Sequence, residues 1–139
     1  MPAPRLEHVN ITVADHERTS GLMETLFDWH VRWRGRSQSG GYTTHVGSND
    51  HYLALHTPGD TAFIVEAFAK GKPLNHVGVE VDDLDAIEAR VMAAGLRPFG
   101  HADYEPGRRF YFLDPDGIEY EVVSYKKHGL GRDRPGLKR

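Results

Sequence analysis

The chain contains no cysteine, which excludes disulfides, thiolate metal sites and a cysteine nucleophile and leaves histidines and carboxylates as the side chains able to hold a metal. No apolar run approaches the roughly 18 residues that a membrane-spanning helix needs. The opening Met1-Pro2-Ala3-Pro4-Arg5 lacks the apolar core of a secretory signal. These absences set the expectation of a cytoplasmic protein with no membrane partner. A Gly-x-Ser-x-Gly elbow is missing, and Gly35, Gly40 and Gly41 do not lead from a strand into a helix at phosphate-cradle spacing. Serine-hydrolase and nucleotide chemistry therefore find no support. A surplus of positive charge is missing too: 17 basic against 20 acidic residues gives a net charge of -3, so no nucleic-acid partner is expected.

What is present is a globular composition of 39% hydrophobic and 27% charged residues in 139, with nine histidines to explain. The length suits one folded domain, expected over residues 5–125. Beyond it, Lys126, Lys127, Arg132, Arg134, Lys138 and Arg139 lie among Gly and Pro, so residues 126–139 read as a flexible basic tail.

The chain repeats itself once. Leu6-Glu7-His8-Val9-Asn10-Ile11-Thr12-Val13 is matched by Leu74-Asn75-His76-Val77-Gly78-Val79-Glu80-Val81, 68 residues further on. Each copy alternates with period two and reads as a half-buried strand, with the β-branched residues on one face and the histidine on the other. Asp15 then precedes the helical pattern Leu22, Met23, Leu26, Phe27, and Asp83 precedes Ile87, Val91, Met92, so a helix can cover each branched face. Phe27-Asp28-Trp29 and Gly95 mark the helix ends.

More strand follows in each half: 42–46 and 52–56 around the turn Gly47-Ser48-Asn49-Asp50, and 109–113 and 118–125 around Asp114-Pro115-Asp116-Gly117. The second turn lacks the further ligands of a calcium loop and reads as structural. Each half is thus β-α-β-β-β: module 1 over about 5–57, a linker over 58–73 holding one packed segment at 62–68, and module 2 over 74–125.

Parity places Glu121 on the face of the last strand opposite Tyr120 and Val122, so it can share a surface with His8 and His76. Two neutral imidazoles and one carboxylate make a facial ligand set with open positions for water or substrate. A lone strand histidine is usually a surface residue or a satisfied core donor, but two at matching repeat positions ask for a shared role. The first-module counterpart of Glu121 is Ala54, which cannot ligate, and His56 lies two residues beyond it on the same face as a cavity-lining candidate base. Glu119, Tyr52, Tyr111, Arg108 and Arg109 read as hairpin decoration, and Arg32, Trp33, Arg34 and Arg36 as an alternating exposed strand.

The duplicated Leu-x-His-Val, together with Phe112-x-Asp114-Pro115-Asp116-Gly117 and the following Glu121, resembles the vicinal-oxygen-chelate superfamily. The resemblance covers residues 5–125 and implies an α+β fold of two paired βαβββ modules forming curled mixed sheets around a metal-binding cavity. It implies one divalent ion (Fe, Mn, Ni or Zn) on His8, His76 and Glu121, a small-molecule substrate and a homodimer. Relatives similar to glyoxalase I carry a glutamate where this chain has Ala54, which separates it from a plain lactoylglutathione lyase. The function implied is a metal-dependent, glyoxalase-like lyase or isomerase acting on a small oxygen-chelating substrate, with His56 as its catalytic base. The alternatives are an Fe(II) extradiol-type dioxygenase, a transferase similar to fosfomycin-resistance enzymes, and a non-catalytic small-molecule binding protein.

Overall fold

The computed structural model describes residues 3–38, 40–59, 70–71, 73–104 and 107–125. The chain divides into two compact units, residues 1–67 and 68–139. The first carries β1 (His8–Thr12), α1 (His16–Phe27), β2 (His30–Arg36), β3 (Tyr42–Gly47) and β4 (Tyr52–Thr57). The second carries β5 (Val77–Glu80), α2 (Leu84–Ala93), β6 (Phe99–Tyr104), β7 (Gly107–Leu113) and β8 (Glu119–Ser124). Both sheets have the same order, β1-β4-β3-β2 and β5-β8-β7-β6. In each, the first strand runs parallel to the last and the other pairs are antiparallel. The expected α+β architecture of two βαβββ modules with curled, unclosed mixed sheets is therefore what the chain adopts. The packed segment expected at 62–68 and the tail expected from 126 lie outside the described residues.

Alternation decides which face each helix covers. In the first unit Ile11, Val13, Val46, Leu53 and Leu55 are buried together with Met23 and Leu26 of α1. In the second, Val79, Phe110, Phe112, Tyr120 and Val122 are buried with Leu84, Ile87 and Val91 of α2. Met92, expected to pack, is 59% exposed; one position past Val91, it is rotated about 100° off the covered stripe. The opposite face of each sheet is left for other work.

Both helices begin on the aspartate the pattern singled out. Asp15 accepts hydrogen bonds from the backbone N–H groups of Glu17 and Arg18, and Asp83 accepts one from Ala86. Asp28 ends α1 in the left-handed region at φ 59°. Gly95, at φ 84°, ends α2, with Leu96 N–H donating back to Val91 O. Asp15→Ala removes the acceptor for two of the orphan N–H groups of α1 and is expected to cost about 1 kcal/mol. A lowered urea midpoint with an unchanged slope would register it. The Asp114 turn is structural, as expected: its side chain accepts from Asp116 N–H and Ile118 N–H, and Gly117 supplies the positive φ.

Register makes the internal repeat residue-specific. Across the first sheet the open-face row is Asn10, Ala54, His45, Trp33; across the second it is Gly78, Glu121, Tyr111, Phe99. Ala54 is thus the counterpart of Glu121, as the hairpin count gave. The edge strands β2 and β6 each carry a register shift, between Val31 and Trp33 and between Phe99 and Ala102.

Candidate metal centre

In the second unit β5 and β8 bring His76 and Glu121 together. His76 Nε2 lies 2.9 Å from Glu121 Oε1, and Arg109 donates to Glu121 Oε2 at 2.8 Å. The Arg109 and Glu121 side chains are only 14% and 13% exposed, so the guanidinium is more than hairpin decoration: it holds one carboxylate oxygen and turns the other toward the imidazole. The other nitrogen of His76, Nδ1, is 2.8 Å from Asn75 Oδ1. An amide oxygen only accepts, so the proton of this contact sits on Nδ1, while Nε2 faces the Glu121 carboxylate. Tyr111 sets its ring edge-on to His76 at 5.9 Å.

The first unit repeats the anchoring. His8 Nδ1 lies 2.8 Å from Glu7 Oε1, and a carboxylate only accepts, so the proton of this contact sits on Nδ1. His8 stacks on Tyr52, and Tyr52 on His45, with centroids 4.8 and 4.5 Å apart. His45 went unnoticed in the sequence; counting across the hairpin from Gly47 opposite Tyr52 sets it opposite Ala54, and that count was the signal. His56 is on the same face, as parity gave, with Nδ1 2.9 Å from Ser37 Oγ and 3.3 Å from Thr43 Oγ1. It pairs with Thr12 while Tyr52 pairs with His8, so about 13 Å of strand separates the two positions.

Other sequence candidates sort by face. Arg108 donates to Asp85 of α2 at 2.9 Å, which takes it to the helix side and away from the site. Glu119, 9% exposed, accepts two bonds from Lys70 at 2.9 and 2.8 Å. Arg34 donates to Thr44 and to Ser20 of α1 while its side chain stays 39% exposed, so it bridges the helix–sheet seam from the exposed strand that the pattern gave.

The His45 imidazole is held below its ordinary value of 6.5, first by partial burial and then by the positive charge of His8 and Arg32, with Glu7 opposing. A depressed folded value means that protonation favours the unfolded chain, so this contribution is present above about 6.5 and lost as pH falls. Metal-depleted protein is expected to melt lower at about pH 5.5 than at about pH 7.5. His45→Gln should make that fall shallower; an equal fall in the variant would assign it to other groups.

An imidazole nitrogen and a carboxylate oxygen are both donors that a divalent ion takes. In contact, as here, they need a proton or a cation between them. The 2.9 Å between them is hydrogen-bond spacing, so a proton satisfies the pair as it stands and an ion would take its place. His76 and Glu121 fit such an ion. Among the described residues no group of three or more His, Asp and Glu side chains is gathered closely enough to hold one, and His8 belongs to the other unit.

The family model for the glyoxalase/bleomycin resistance protein/dioxygenase superfamily matches residues 7–112, a span that includes both histidines and ends before Glu121. Among solved structures, the chain is similar to a glyoxylase/bleomycin resistance protein/dioxygenase domain from Frankia sp. EAN1pec, with TM-score 0.75 and 23% identity over 88% of this chain and 98% of that one. It is similar to the fosfomycin resistance protein FosX from Mesorhizobium loti, with TM-score 0.67 and 25% identity over 88% and 92% of the two chains. It is also similar to TnmS3, an antibiotic binding protein from Streptomyces sp. CB03234, with TM-score 0.65 and 20% identity over 89% and 98%. No functionally curated protein matches the chain. No helix among the described residues is long and apolar enough to cross a membrane.

Proposed function

The chain belongs to the glyoxalase/bleomycin resistance protein/dioxygenase superfamily, and from that premise we propose a divalent-metal-dependent enzyme acting on a small oxygen-chelating substrate by lyase or isomerase chemistry. The observation that carries the proposal is the mirrored anchoring of the two repeat histidines. Each has Nδ1 held by the side-chain oxygen of the residue before it, Glu7 for His8 and Asn75 for His76, at the same 2.8 Å. A proton held on Nδ1 in the same sense twice would leave Nε2 of each neutral imidazole to a ligand. His76 and Glu121 would hold the ion in the second unit, and His8 is assigned as the third ligand on its repeat equivalence. Arg109 keeps Glu121 to one ligating oxygen.

When bound, the ion supplies Lewis-acid stabilisation of a substrate oxygen. His56 is the group that moves a proton: the hydroxyls of Ser37 and Thr43 hold its Nδ1 and leave Nε2 to the substrate. About 13 Å of β4 separates it from the His8 position, so it would act on the end of the substrate remote from the ion. The active form is a homodimer.

A second reading, a metal-free binding protein, draws on the same residues. In the His76–Glu121–Arg109 chain one carboxylate is held by two side chains without any ion, and TnmS3, an antibiotic binding protein, gives that reading a precedent of shape.

Elemental analysis of protein purified without a histidine tag or chelators, followed by reconstitution with Fe(II), Mn, Ni and Zn, separates the readings. Near-stoichiometric metal supports the enzyme. Nickel, zinc or manganese directs assays to lyase, isomerase or transferase chemistry, and iron to catechols and oxygen uptake. Failure to bind any of the four would overturn the proposal in favour of the binder.

A further inference from the structure

The open face of the first sheet carries an unbroken row of rings. Trp33 lies against His45 at 5.1 Å, His45 against Tyr52 at 4.5 Å, and Tyr52 against His8 at 4.8 Å. Single exposed aromatics are common on protein surfaces; four rings in serial contact, spanning every strand of one sheet, are not a scatter of such residues.

The backbone is shaped to build this row. The register shift between Val31 and Trp33 lets consecutive residues address one face. Arg32 lays its guanidinium 4.5 Å over the Tyr52 ring while Trp33 meets His45. A Cβ at Gly35 would stand 2.6 Å from the Trp33 ring, so the indole rests across a position that only glycine leaves open. Trp33 nevertheless remains 49% exposed, which leaves ring surface for a further layer.

The second unit repeats the pattern at the equivalent register positions. Phe99 stacks on Tyr111 at 6.0 Å, and Tyr111 meets His76 edge-on. A Cβ at Gly100 would press on the Tyr111 ring at 2.8 Å. Both units thus run aromatic surface from the edge strand toward the repeat histidine, whereas the charged partner over a ring, Arg32, is a feature of the first.

We propose that the open face of the first unit binds a planar aromatic anion, an aryl carboxylate or phenolate, stacked on the exposed indole of Trp33 at the edge of the ring row with its charged oxygen at the neighbouring Arg32. The exposed indole, braced from behind by His45, favours a flat conjugated partner over a saturated one. The guanidinium, whose plane is already presented to Tyr52, adds countercharge that a neutral arene cannot use. Partial burial keeps His45 uncharged more readily than an ordinary histidine, so its ring backs the indole without a desolvated charge. This names the substrate class for the face that carries His8, and in that respect rests on the enzyme reading.

The test is calorimetric titration of the full chain with 2-naphthoate, 2-naphthol and cyclohexanecarboxylate, on protein as purified, on chelator-treated protein and on Glu121→Gln. Naphthoate is expected to bind saturably in all three preparations and more tightly than either comparison compound. Trp33→Ala should weaken naphthoate about tenfold and Trp33→Phe much less. Arg32→Gln should weaken naphthoate roughly fivefold while leaving naphthol unchanged. Naphthoate binding that is absent, or unaltered by Trp33→Ala and Arg32→Gln, or matched by cyclohexanecarboxylate, would overturn the proposal. Because chelated protein and Glu121→Gln keep the ring row, loss of metal without loss of naphthoate sinks the metal site alone, and the converse sinks the aromatic site alone.

Discussion

Glu121→Gln is expected to lower the affinity for the divalent ion by about a hundredfold or more, while far-UV circular dichroism stays that of the wild type. The magnitude follows from position. Substitution of residues that merely orient a ligand already costs 10- to 100-fold, and Glu121 is proposed as a ligand itself, with Oε1 2.9 Å from His76 Nε2 and Oε2 on Arg109. Glutamine keeps the volume and one acceptor oxygen but removes the charge that a hard cation requires. The same change strands Arg109, 14% exposed, beside a neutral amide, so some loss of stability accompanies it; the fold survives because the hydrophobic face of β8 is untouched. His76→Ala and His8→Ala are expected to deplete metal comparably. Retention of wild-type metal in all three variants would remove the site. Retention in His8→Ala alone would keep the second-unit pair and assign the third ligand elsewhere.

Much of this was legible in the sequence because it is written in periodicity and in turn chemistry. The duplicated strand, the N-cap aspartates, Gly95 and the Asp114 turn are local signals, and each fixes a local geometry. Parity then carried Glu121 and His56 to their faces, and hairpin counting identified Ala54 as the non-ligating counterpart. What stayed hidden depends on side chains reaching across strands. Arg109 looked like hairpin decoration because it pairs with Val123 in the ladder; its partner Glu121 is a diagonal neighbour, and only the length of the arginine joins them. The ring row was masked by the bulge in β2, which puts Arg32 and Trp33 against one face where simple alternation separates them. The bonds of Arg34 to Thr44 and Ser20 were not legible, because they join a sheet and a helix that periodicity treats apart.

Phe112→Ala is expected to cost about 3–5 kcal/mol, the largest stability effect of any substitution considered. Phe112 is fully buried and stacks parallel on Tyr120, its cross-strand partner, at 5.2 Å. Truncation removes the ring contacts on one side of Tyr120 and leaves a cavity between β7, β8 and α2 that the neighbouring Phe110 and Val122, also fully buried, are poorly placed to fill. Burial, with the nearby charges of Asp114 and Asp116 adding to it, pushes the Tyr120 phenol well above its ordinary range, so the residue stays neutral and cannot offset the loss by ionising. Since a domain of this size is stable by about 5–15 kcal/mol, the variant sits close to unfolding and its urea midpoint should fall steeply. Tyr111→Ala, one residue away on the open face, is the control. It removes the ring beside His76 but little of the covered core, so its midpoint should move far less. If Tyr111→Ala destabilises as much as Phe112→Ala, the division of each sheet into a packed face and a working face fails, and with it the ground for placing Glu121 at a site.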